Sequence, residues 1–80
     1  MRLREQALGD RNIIGKKVED KRKKRGLKQK DFLTQLQING IDMSASALSK
    51  LEGQVRIATD KEIYVAAKIL GVSVNKLFED

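Results

Sequence analysis

The chain contains neither cysteine nor histidine, and these two absences remove much of the chemistry a small protein can perform. No disulfide, thiolate nucleophile or imidazole acid–base is available, and zinc sites of the ordinary type lose their preferred ligands. A chain without thiols suits a reducing compartment. The acidic residues are scattered over helical surface positions and no Gly-rich phosphate loop occurs, so neither an enzyme nor a cofactor or metal is expected. Proline is absent, and there is no useful strand alternation, internal repeat or low-complexity linker. An all-α chain is the reading that remains. Aromatic residues are limited to Phe32, Tyr64 and Phe78, with both phenylalanines expected inside and Tyr64 partly buried, so no platform for stacking single strands is visible. No apolar run is long enough to span a bilayer or to act as a signal peptide. A cytoplasmic location without a membrane partner is expected.

What the chain does contain is charge, unevenly placed. Its 80 residues suffice for one domain with one modest core. The net charge is +6. Residues 1–40 hold 12 Lys/Arg against 5 Asp/Glu, and residues 41–80 hold 5 against 6. A basic half of this kind favours a polyanionic partner, nucleic acid or an anionic membrane surface. The membrane version is weak, because the apolar face over residues 13–25 is only Ile13, Ile14 and Val18. The run Lys21 to Arg25 reads as a solvated last helical turn whose charge complements the helix dipole and adds to the long-range field.

Periodicity organises the rest into about five helices. Residues 1–11, with Arg2, Arg4 and Arg11, read as a basic arm or frayed helix, and 12–80 as the domain. Asn12 or Asp10 can cap a first helix reaching Arg25, with Gly26 as its stop. Ile14 and Val18 form its stripe, and the next position on that stripe is Arg22. An inward arginine requires a carboxylate, because an unpaired buried charge is very costly. A second helix starts near Lys28, with Phe32, Leu33 and Leu36 inward and Gly40 as a stop. Ser44 is a good N-cap for a third. At 100° per residue, Ala47, Leu48 and Leu51 fall on one side of it, while Ala45, Ser46, Ser49 and Lys50 fall on the other. Glu52 sits at the edge of the apolar side, able to meet Arg22. Thr59-Asp60-Lys61-Glu62 is a capping box opening a fourth helix, whose stripe is Ile63, Ala66, Ala67 and Leu70. After Gly71, Ser73 is expected to cap a last short helix in which Val74, Leu77 and Phe78 close the core.

Taken in order and spacing, these residues resemble the phage lambda repressor/Cro-type helix-turn-helix domain, also called the xenobiotic-response-element type. The resemblance spans roughly Ile13 to Phe78. It rests on Ile14-Gly15, Arg22 before Gly26-Leu27, Gln29, Leu48-Ser49-Lys50-Leu51-Glu52, Ile69-Leu70-Gly71-Val72-Ser73 and Leu77-Phe78. It implies a compact bundle of about five helices, binding of double-stranded DNA, and an Arg22–Glu52 ion pair of structural purpose. It further implies base contacts in the major groove from Ala45, Ser46, Ser49 and Lys50. Gln29 would fix helix two to a phosphate, with Lys28, Ser44, Gln54 and Arg56 as further phosphate contacts. The turn between helices two and three departs from the family pattern by about five extra residues, expected to lengthen helix two, widen the loop and pack through Ile38, Ile41 and Met43. Ala45 departs too, since many members carry a polar or basic residue there.

Two functions follow. The first is a bacterial or phage transcriptional regulator, a repressor rather than an activator, binding an operator as a homodimer. The second is an antitoxin or adaptor that uses the same fold to hold a protein partner, with Ile38, Ile41 and Met43 as exposed apolar candidates.

Overall fold

Among the described residues five helices form, α1 (Gly15–Lys24), α2 (Gln29–Ile38), α3 (Ala45–Glu52), α4 (Asp60–Leu70) and α5 (Val74–Phe78). The computed structural model describes residues 10–79, and among them there is no strand. All but the last two positions of the expected basic arm, Arg2 and Arg4 included, lie outside the described residues.

The helix ends have identifiable causes. Ser44 accepts the Ala47 N–H at 3.1 Å and opens α3. Thr59 and Glu62 form the full reciprocal capping box of α4. Before α1, the residue at the cap position is Ile14, which offers no side-chain acceptor. Asn12 supplies one from farther back, its Oδ1 accepting the Gly15 N–H at 2.7 Å. α2 ends in a Schellman closure: Gly40, at φ 89°, donates to the Gln37 carbonyl, and Ile41 donates to that of Leu36. Gly26 and Gly71 end α1 and α4 with the same pair of bonds.

Ile14 and Val18 of α1, Phe32 and Leu36 of α2, Leu48 and Leu51 of α3, Ala66, Ala67 and Leu70 of α4, and Leu77 of α5 are all buried in one core. Each large member contributes on the order of 1.5–3 kcal/mol by leaving water. α4 packs on α1, α2 and α5, whereas α3 packs on α1 and α2. α3 therefore lies at one side of the molecule with its outer face uncovered. The approach of α1 to α3 is close: a Cβ on Gly15 would collide with the Leu51 carbonyl oxygen. Only glycine fits there.

Several expectations are corrected. The extra residues between α2 and α3 form an ordered connection over 39–44, in which Ile41 and Met43 are buried but Ile38 is 73% exposed. Ile38 lies two residues, or 200°, round from the inward Leu36 and so faces out. Gln37 Nε2 donates to the Met43 carbonyl at 3.0 Å and closes this loop. Ser73 occupies the cap position of α5, but its side chain makes no capping bond. Phe78 is 45% exposed, because Leu77 takes the core position of this five-residue helix. Tyr64 flanks the α4 stripe and is exposed. The basic run is less solvated than its composition suggests, since Arg22 is buried and Arg25 Nη1 donates to the Leu70 carbonyl at the end of α4.

Candidate nucleic-acid interface

The outer face of α3 is built from four side chains. Ala45, Ser46, Ser49 and Lys50 are all exposed, while Leu48 and Leu51 are buried and Ala47 is half-buried. Ala45 and Ser49 stand one turn apart in one row, Ser46 and Lys50 in the next. The one carboxylate of α3, Glu52, is buried. The face is thus small, neutral to basic, and free of the acidic groups that usually decorate an exposed helix.

A polar network fixes this helix to the other two. Arg22 Nε donates to Glu52 Oε2 at 2.8 Å, and Nη2 donates to Oε1 at 3.0 Å. The pair is bidentate and nearly inaccessible to water, and the third guanidinium nitrogen satisfies the Leu27 carbonyl at 2.9 Å. The ion pair expected from the helix stripes is present. Gln29 then extends it outward. Its Nε2 donates to Glu52 Oε1 at 3.0 Å, and its Oε1 accepts from Ser49 Oγ at 3.2 Å. The first residue of α2 therefore touches the outer face of α3.

No side chain caps α2, whose cap position is held by the exposed Lys28. The first-turn N–H groups of such a helix have no intrahelical acceptor. With Lys28 and Lys30 beside them and Asp31 in the same turn, they make an end of net positive charge adjoining Ser49.

The structure does not bring Gln54 and Arg56 to this face as free groups. Gln54 is the residue that closes α3, in the left-handed region at φ 66° where α1, α2 and α4 use glycine. Its Nε2 donates to the Asn12 carbonyl at 3.1 Å, and its own carbonyl accepts from the Arg11 N–H at 2.9 Å. The Arg56 guanidinium grips the Glu62 carboxylate through two bonds of 3.1 and 3.2 Å. Sequence reasoning missed that pair, and also the part played by Asn12. Besides its bond to Gly15, Asn12 donates through Nδ2 to the carbonyls of Leu51 and Arg56 at 3.0 and 2.8 Å. The local signal for Asn12 was a cap, and its other two partners lie 39 and 44 residues away, where no spacing rule reaches.

Among the described residues no cluster of three or more acidic side chains could hold a metal ion, and no helix is long and apolar enough to cross a membrane. No family model matches the chain, and neither does any curated protein or solved structure.

Proposed function

We propose that this chain is a sequence-specific binder of double-stranded DNA, a bacterial or phage transcriptional regulator of the repressor kind. In this reading the domain is similar to the lambda repressor/Cro-type helix-turn-helix domain and lays α3 in the major groove. The observation that carries it is the face formed by Ala45, Ser46, Ser49 and Lys50, uncovered, without a carboxylate, and joined through Ser49 to the uncapped start of α2. A base-reading face needs short donors and acceptors with no like charge against DNA, and a phosphate anchor needs free amides beside it. Both lie side by side here. Phosphate anchoring falls chiefly to the first-turn amides of α2, Lys28, Gln29 and Ser44. Gln54 and Arg56 contribute less than their sequence positions imply, since Asn12 and Glu62 already hold their side chains.

Two copies would occupy two half-sites about one helical turn apart, roughly 34–36 Å, and repress by blocking polymerase. The protein-partner reading loses two of its three contact residues, because Ile41 and Met43 are buried.

Selection of sites from a random duplex pool, at low and at near-physiological salt, tests the proposal. It should enrich a palindrome with fixed half-site spacing that survives the higher salt. Enrichment of nothing, with binding lost as salt rises, would leave only a non-specific basic field and end it. Lys50→Ala and Ser46→Ala should each weaken binding to the selected site by more than binding to random duplex. Equal losses on both would mean that these residues touch only the backbone.

A further inference from the structure

Serine is ordinarily an ambivalent reader of bases, because its hydroxyl both donates and accepts. At Ser49 the network behind it removes that ambivalence. Arg22 can only donate and the Glu52 carboxylate only accepts. The amide of Gln29 must therefore turn its nitrogen toward Glu52 Oε1, the 3.0 Å contact. The reversed amide would press a carbonyl oxygen on a carboxylate oxygen. With the nitrogen committed inward, it is the Gln29 carbonyl oxygen that lies 3.2 Å from Ser49 Oγ. A carbonyl has no proton to give, so the proton in this contact is the single one of the Ser49 hydroxyl. What Ser49 has left to offer outward is lone pairs.

We infer that Ser49 acts toward DNA as a hydrogen-bond acceptor only, and so selects a base that presents an exocyclic amino group in the major groove. Two bases do so, adenine through N6 and cytosine through N4, whereas guanine and thymine offer acceptors at the corresponding edge. This rests on the DNA-binding reading above. Gln29 is then a positioning residue for specificity in addition to any phosphate contact: it sets the polarity of a side chain on another helix.

The test compares base preferences, position by position, in sites selected by the wild-type chain, Ser49→Ala and Gln29→Ala, after thermal melting has established that both variants fold. One position should hold its base pair in a single orientation in the wild type, with the amino group (adenine N6 or cytosine N4) always on the same strand. Ser49→Ala should flatten that position, with a loss of about threefold to tenfold on the preferred base, the range of one neutral hydrogen bond. Gln29→Ala frees the serine proton, and the same position should widen to admit the reversed base pair, with guanine or thymine on the contacted strand, whatever happens to total affinity. A base analogue lacking the exocyclic amino group should weaken the wild type by the same factor and Ser49→Ala no further. Unchanged wild-type affinity for the duplex lacking that amino group, at the position that Ser49→Ala flattens, would overturn the inference. So would a Ser49→Ala profile identical to the wild type. Either result leaves DNA binding by α3 standing, whereas failure to enrich any site removes both.

Discussion

At the scale of single residues, the decisive pair is Arg22 and Glu52, with side chains only 9% and 3% exposed. Removing one partner of a buried ion pair costs about 3–5 kcal/mol, because the other charge is stranded away from water. Glu52→Ala should therefore lose most of the stability of a domain this small, measured by urea or thermal denaturation, and an unchanged melting temperature would end the idea that the pair holds the fold. Gln54 shows opposing terms of similar size. A left-handed conformation costs a non-glycine residue roughly 1–2 kcal/mol, and its two bonds to the Arg11 amide and the Asn12 carbonyl return about 0.5–1.5 kcal/mol each. The conformation persists because those bonds exist. Arg22 was legible in the sequence because it fell on an apolar stripe, where a charge is conspicuous. Arg56 and Asn12 were not, because their partners are set by how the chain returns on itself.

Among the elements, caps were the most legible feature, being local. Ser44, the Thr59–Glu62 box and Gly40 each do what a four- or five-residue pattern directs. Thr59→Ala should cost about 1 kcal/mol, read as a lower denaturation midpoint with unchanged slope. Because Arg56 would still hold Glu62 in that variant, a much larger loss would mean that the cap also fixes the loop before α4. Helix flanks were the least legible. Tyr64, Phe78 and Ile38 lie where a turn of 100° decides between core and water, and neighbouring helices decide that turn. The connection between α2 and α3 could be recognised as long, yet not as packed, since the burial of Ile41 and Met43 depends on tertiary neighbours. The outer face of α3 was fully legible as a face. The link from Gln29 through Ser49 to that face was not.

At the scale of the whole molecule, the exposed positive charge among the described residues belongs to lysines more than to arginines. Arg22, Arg25 and Arg56 are each engaged within the protein, and Lys16, Lys24, Lys28 and Lys30 are exposed on α1, at its end, or around the start of α2. Affinity for DNA should therefore fall steeply with salt, by about 0.9 in logarithmic slope for each phosphate neutralised. Lys28→Ala should lower that slope by about one unit while leaving the selected sequence the same. A changed sequence preference, or an unaltered slope, would remove Lys28 from the phosphate contacts. The helical class, and the number and order of helices among the described residues, were all readable from stripes and stops. The route by which α1, α2 and α3 are fastened together runs through side chains far apart in sequence, and only the folded chain brings them to one place.

The outer face of α3 is divided in how freely it can vary. Among the described residues, Ala45, Ser46 and Lys50 make no side-chain hydrogen bond or ion pair, so each is open to replacement without loss of an internal contact. Ser49 is tied to Gln29, and through it to the pair that holds the fold. In the DNA-binding reading, three positions of the face can change without touching that fastening, whereas any change at Ser49 also breaks its bond to Gln29.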